Sequence, residues 1–182
     1  MEIDMNHTFQ AIYENESDAI FRFCLIRVSD RDQAIDITQE TFLRLWQSLT
    51  EKKKILNNRA FLFTIAHHLV IDWYRKKKSI PFKDMKDTTF DDEEIEYDPV
   101  DEMTIKSLEV GAEGRYLIDK INELIPIYQQ PVYLRFVEDL SPPEIAEILG
   151  ISTNAASVRI NRGLSELRKI AGYNDKENKT NN

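Results

Sequence analysis

Residues 141–170 read SPPEIAEILGISTNAASVRINRGLSELRKI, and this stretch decides the fold of the second half of the chain. Ser141 can cap a helix, and Glu144 stands at the position that completes a capping box. Gly150 is suited to end that helix, and Ser152 can cap a second one that we expect to run to about residue 170. Two helices joined by a short turn that contains glycine predict a helix-turn-helix.

The second of these helices has two chemically different sides. On one side lie the expected core positions, which are Ala156, Ile160, Gly163, Leu164 and Leu167. The other side carries short polar groups and arginines, which a helix inserted in the major groove of DNA uses to reach base edges and phosphates. We expect DNA contacts from Asn154, Ala155, Ser157, Val158, Arg159, Asn161 and Arg162. For Arg162, an exposed salt bridge to Glu166 is the alternative.

Composition and patterning favour an all-α protein of two small helical domains. Only 5 glycines and 6 prolines occur in 182 residues, and apolar residues recur at spacings of three and four. We expect an N-terminal helical domain over 1–78, a flexible acidic linker over 79–115, a helix-turn-helix domain over 116–170 and a disordered tail over 171–182.

The net charge of −8 is unevenly distributed. Residues 51–78 carry 8 basic and 2 acidic side chains, whereas residues 79–115 carry 4 basic and 12 acidic ones. The basic segment could therefore contact phosphates although the whole chain is acidic. The single cysteine, Cys24, excludes an internal disulfide and is expected in the core. We find neither a signal peptide nor a membrane span, and we expect a cytoplasmic protein that does not insert into membranes.

Residues 32–49 are expected to form one amphipathic helix. Its buried stripe would contain Ala34, Thr38, Phe42, Leu45 and Leu49. On the outward side, polar residues surround an apolar centre, which is typical of a protein-binding patch, although scattered surface hydrophobic residues are an equally good explanation. The patch consists of Asp36, Gln39, Glu40, Leu43 and Gln47.

Residues 58–78 should form another helix, with a core stripe of Leu62, Ile65, Ala66, Leu69 and Trp73. Its far side and its basic end, together with the loop 52–58, could track a DNA strand and read an extruded base. The candidate residues are Lys53, Asn57, Asn58, Thr64, His67, His68, Ile71, Arg75, Lys76 and Lys78. His67 and His68 are adjacent, so they cannot form the zinc pair of a helix, and we expect no metal or cofactor.

Three segments resemble those of one family, the extracytoplasmic-function (ECF) sigma factors of the sigma-70 class. Residues 32–46 (DQAIDITQETFLRLW) resemble the family's polymerase-binding helix, and 61–77 (FLFTIAHHLVIDWYRKK) its helix for opening and reading the minus-ten element. Residues 124–150 and 152–168 resemble its reader of the minus-thirty-five element. The His67-His68 pair, Ala155 and Ser157 depart from the residues common in the family, and these positions bear on which promoter is read.

The resemblance implies a non-enzymatic subunit that binds core RNA polymerase and directs promoter-specific initiation. The outward patch of residues 32–49 would contact the clamp of the largest polymerase subunit, and the polymerase flap is a further expected contact. Promoter DNA and an anti-sigma factor are the other expected partners, and the free protein should be a monomer.

Two other classes of protein are the alternatives. A helix-turn-helix regulator with an N-terminal partner or sensor domain would bind duplex DNA tightly without polymerase. An enzyme has no support, because the carboxylates are dispersed and no nucleophile with its base, and no phosphate loop, can be found in the sequence.

Overall fold

The computed structural model describes residues 5–77, 104, 108 and 110–172. Between residues 5 and 77 and between 110 and 172 lie seven helices and no strand, in agreement with the all-α prediction. The helices are α1 (Met5–Val28), α2 (Arg31–Thr50), α3 (Asn58–Lys77), α4 (Ala112–Asn122), α5 (Pro126–Phe136), α6 (Pro142–Leu149) and α7 (Thr153–Ile170).

The first three helices pack against one another around a common core. Phe23 of α1 and Phe63 of α3 meet edge to face at 5.3 Å between ring centroids, and Cys24 is buried as expected. The Tyr74 hydroxyl donates a 2.7 Å hydrogen bond to the backbone carbonyl of Arg27 and so joins the end of α3 to that of α1. These contacts hold α2 and α3 at fixed positions on one scaffold.

The helix ends in the helix-turn-helix are those that the sequence predicts. The backbone N–H of Ser141 donates to Glu144 at 2.6 Å, which is one half of the expected capping box. Gly150 adopts a left-handed conformation, with φ of 66°, that ends α6. The backbone N–H of Ala155 donates to the Ser152 hydroxyl at 3.1 Å and caps α7.

Helix α7 lies close against α5 at Gly163. A Cβ at this position would lie 2.4 Å from Cγ2 of Val132 and 3.0 Å from Cβ of Tyr128. Since Val132 is fully buried, only glycine lets the two backbones come this close. Ala156, Ile160 and Leu167 are buried on the same side, which confirms the predicted core face of α7.

The first helix of the C-terminal half begins earlier than we predicted. Helix α4 starts at Ala112, with Gly111 as its N-cap, whereas the sequence boundary was placed at 115/116. The two glycines, Gly111 and Gly114, suggested a loop, but Ile118 and Ile121 bury one face of the helix and stabilise it through its first turn. Most of the predicted linker, 79–103 included, and residues 173–182 of the tail lie outside the described residues.

The two helical groups touch, because α3 packs against α6 as well as against α1 and α2. The burial of α3 differs from the prediction at several positions. Ala66 and Leu62 are buried as predicted, while Ile65, Leu69 and Trp73 are only partly buried. His67 and Ile71, which were assigned to the far side, are 7% and 5% exposed.

Candidate nucleic-acid interface

Helix α7 presents its predicted DNA-contacting side to solvent. Asn154, Val158, Asn161 and Arg162 are exposed, and Val158 retains 37% of its surface. The flanking Ala155, Ser157 and Arg159 are partly buried. The arrangement leaves a row of short polar side chains and one arginine free to enter a groove, with the apolar side held against α5 and α6.

Arg162 forms no ion pair with Glu166, although both residues lie in the described part of α7. The alternative explanation for this arginine therefore has no support from the structure. An unpaired, exposed guanidinium can donate two parallel hydrogen bonds to a guanine or a phosphate.

Most of the candidate residues on α3 and its preceding loop are accessible to some degree. Lys53, Asn57 and Lys76 are exposed, and Asn58, Thr64, His68 and Arg75 are partly buried. Several of them already have partners. Lys53 forms a 2.8 Å ion pair with Glu51, Thr64 donates to the Ala60 carbonyl at 2.8 Å, and Oδ1 of Asn57 caps α3 by accepting from the Ala60 N–H at 3.0 Å. Lys78 lies outside the described residues.

His67 and Ile71 are not available to DNA in this structure, contrary to the prediction. Burial, together with the neighbouring His68 and Arg27, lowers the pKa of His67 to about 3, so the imidazole is neutral. Its Nδ1 atom is buried without a hydrogen-bond partner. The prediction failed because a helical wheel for α3 alone cannot show which neighbouring helices cover it, and Arg27 of α1 lies close enough to His67 to affect its pKa.

The outward side of α2 carries the predicted apolar centre and polar rim. Leu43 is 50% exposed, and Asp36, Gln39 and Gln47 around it are exposed as well. Glu40 is partly buried and accepts a 2.8 Å hydrogen bond from Arg44, one turn further along. The opposite side of α2, with Ala34, Phe42 and Leu45, is buried in the core.

Sequence reasoning missed a cluster of charged side chains between the two helical groups. The Glu138 carboxylate, in the turn after α5, accepts hydrogen bonds from Arg22 of α1 at 3.0 to 3.1 Å and from Arg59 of α3 at 3.0 Å. The Tyr133 hydroxyl donates to the same carboxylate at 2.7 Å. Because the carboxylate and Arg22 are 116 residues apart, no local spacing could have signalled the pair.

No helix within the described residues is both long and apolar enough to span a membrane. The same residues contain no group of three or more His, Cys, Asp or Glu side chains placed to hold a metal ion.

Comparison with known proteins matches both helical groups to one class. Residues 12–80 match Sigma-70 region 2, and residues 114–167 match Sigma-70, region 4. The chain belongs to the ECF sigma factors of the sigma-70 family, and it is an RNA polymerase sigma factor that directs transcription initiation.

Individual relatives agree over most of the chain. The chain is 31% identical over 152 residues to the RNA polymerase sigma factor SigV of Bacillus subtilis, covering 81% of each protein. It is 26% identical to the ECF sigma factor SigX of the same organism, over 91% of this chain and 84% of the relative. A solved structure of RpoE with the anti-sigma factor NepR from Bartonella quintana has a TM-score of 0.64 at 17% identity, over 91% of this chain and 97% of that one, and shows the same fold.

Proposed function

We propose that the three surfaces described above have separate roles in transcription initiation. The exposed row on α7 reads the minus-thirty-five element, the loop 52–58 with α3 reads and opens the minus-ten element, and the outward side of α2 binds core RNA polymerase. The observation that supports this division most directly is the exposed, unpaired Arg162 on a well-capped recognition helix.

For polymerase, the apolar centre at Leu43 with its polar rim supports a protein contact rather than a DNA contact. Asp36 adds negative charge to this surface, and an acidic surface would be repelled by phosphates. We assign it to the clamp of the largest polymerase subunit, and we expect the C-terminal helices to contact the flap.

For the minus-ten element, the basic end of α3 supports a strand-tracking role. Arg75, Lys76 and Lys77 lie in its last turn, and Lys53 lies in the loop before it. Asn57 and Asn58 in that loop offer amide groups that could read an extruded base. His67 and Ile71 could take part only after α6 has moved away.

The remaining expectations concern partners and location. We expect a non-enzymatic subunit in the cytoplasm, where core polymerase transcribes, that is monomeric when free. The RpoE structure contains an anti-sigma factor, but RpoE resembles this chain only in fold. Our expectation of an anti-sigma partner therefore rests on family membership.

The test is in vitro transcription with purified core polymerase on a library of genomic fragments. We expect initiation at a small set of promoters and none with core alone. A mobility-shift assay on those promoters should show weak binding by the protein alone and strong binding after core is added. Tight core-independent binding without initiation would instead identify a helix-turn-helix regulator.

A further inference from the structure

The charged cluster between the two helical groups is a well-formed buried site. Glu138 is 2% exposed, and both of its carboxylate oxygens are occupied by donors from Arg22, Arg59 and Tyr133. Arg59 also donates to the Glu138 backbone carbonyl at 3.0 Å and pairs with Glu16 of α1. A buried carboxylate is tolerated only when it is paired in this way, and here both cationic partners come from the other domain.

Aromatic packing extends this contact. The Arg27 guanidinium lies between two rings, 4.6 Å from the centroid of Phe23 in its own helix and 4.8 Å from that of Tyr133 in α5. Burial is the main cause, and the nearby Glu138 carboxylate the second, of a pKa of Tyr133 that lies well above its usual value. The Tyr133 hydroxyl therefore keeps the proton that it donates to Glu138. The two domains are therefore joined by charge, hydrogen bonds and stacking together.

The same contact covers the surface proposed to read the minus-ten element. The Asn57 side chain, in the reading loop, donates a hydrogen bond to Glu144 of α6. Ala60, His67 and Ile71 follow at spacings that place them on one side of α3, and all three are buried. Because α6 packs against α3 and engages the residue just before it, we attribute part of the burial of this side to α6, while Arg27 of α1 also lies near His67.

In this arrangement α3 and α7 are too close together to reach both promoter elements at once. The two elements lie roughly 25 base pairs apart, which is about 85 Å at 3.4 Å per base pair. Helix α7 packs on α6, which packs on α3, and packed helices are 8–10 Å apart, so α3 and α7 are separated by only about 20 Å. A sigma factor that reads both elements must first separate its two domains.

We propose that the Glu138 cluster is a latch that holds the free protein in a closed, DNA-incompetent state, with the helix-turn-helix domain covering the minus-ten surface. This inference rests on the proposed assignment of α3 and α7 to the two promoter elements. Opening exposes Arg22, Arg59 and Glu138 to water, where each charge is solvated, so binding to core polymerase can shift the equilibrium without breaking either domain.

The test compares the full chain carrying Glu138→Gln with its matched control, Asp139→Asn. The control removes one negative charge from the neighbouring residue, whose side chain is 98% exposed. Small-angle scattering without core should show a compact wild type and control, and a Glu138→Gln protein whose maximum dimension is tens of Å larger. Circular dichroism should show equal helix content in all three.

A second measurement follows the covered surface directly. Diethyl pyrocarbonate should modify exposed His7 at the same rate in every variant, whereas His67 should react at least about tenfold faster in Glu138→Gln than in the wild type. If Glu138→Gln fails to fold, Arg22→Gln decides the matter, because it breaks the same latch from the other domain.

An extended wild type, or equal dimensions and equal His67 reactivity in a folded Glu138→Gln and the wild type, would overturn the latch. These outcomes are separable from those for the proposed function. An extended protein that supports initiation refutes the latch alone, whereas a compact protein that opens on Glu138→Gln but never initiates with core refutes the promoter assignment.

Discussion

Gly163 and His67 are two single residues that affect the stability of the fold, each for a different physical reason. Gly163 matters because of space, since α5 leaves no room for a Cβ. His67 matters because of charge, since its surroundings exclude the protonated ring. Both effects can be measured on the whole protein.

Gly163→Ala should lower the free energy of unfolding by about 1–3 kcal/mol, because the new methyl would overlap Val132 and press on Tyr128. Thermal unfolding followed by circular dichroism measures this loss. Ser165→Ala, on the exposed side of the same helix, is the control and should stay within about 0.5 kcal/mol of the wild type. A stabilised Gly163→Ala would mean that helix propensity outweighs the close approach.

The neutral His67 predicts a loss of stability in mild acid. Its pKa is about 3 in the folded protein and near 6.5 when unfolded, so the unfolded chain takes up the proton first. The contribution of His67 to the free energy of unfolding has its full value above pH 6.5. It falls by up to about 1.4 kcal/mol per pH unit as the pH is lowered below that value. Burial also lowers the pKa of His68, which adds an effect of the same sign.

Denaturant unfolding of the wild type and His67→Gln between pH 7.5 and 5 checks this. His67→Gln should have a clearly flatter dependence on pH than the wild type. Equal slopes for the two proteins would show that His67 accepts a proton in the folded state.

The helices α2, α3 and α7 are each amphipathic, but their outward sides differ in exposure to solvent. On α7 and α2 the side facing away from the core is open to solvent, as the sequence predicts. On α3 it is partly covered by another helix. The two open sides lead to predictions about separate steps of initiation.

Arg162→Ala on α7 should reduce initiation at promoters with a cognate upstream element by about tenfold or more, because one bidentate base contact contributes about 1–3 kcal/mol. Affinity for core polymerase should not change. Arg168→Ala, which removes another exposed arginine from the same helix, is the control. Loss of core binding in Arg162→Ala would mean that this side of α7 faces polymerase.

Leu43→Asp combined with Glu40→Lys on α2 should have the reverse effect, weakening core binding while leaving the fold and the recognition helix intact. Binding to labelled core polymerase measures it. Asn15→Asp with Glu14→Lys introduces the same two charge changes at exposed positions of α1 and should bind core normally. Unchanged affinity in the α2 variant would exclude this patch as the polymerase contact.

For the whole molecule, the decisive feature is how the two helical groups meet. Each could be described separately from its own periodicity, and the acidic character of the chain would suggest that neither binds DNA. The structure instead joins them through the Glu138 carboxylate and two arginines, and we propose that this contact keeps the free protein compact. The Glu138→Gln comparison tests this property at the scale at which it arises.

The sequence alone determined the helices and their ends, because capping, glycine conformation and apolar spacing act within a few residues. Ser141, Glu144, Gly150 and Ser152 were all assigned correctly on that basis. The start of α4 was missed, because local glycines outweighed an apolar face that only packing reveals.

Only the tertiary structure decided the burial of His67 and the role of Glu138. Both depend on how separate helices pack, and the partners of Glu138, which are Arg59 and Arg22, lie more than 70 residues away along the chain. Such contacts leave no periodic trace, because a carboxylate in a turn and an arginine on a helix have the same local pattern whether they face water or each other.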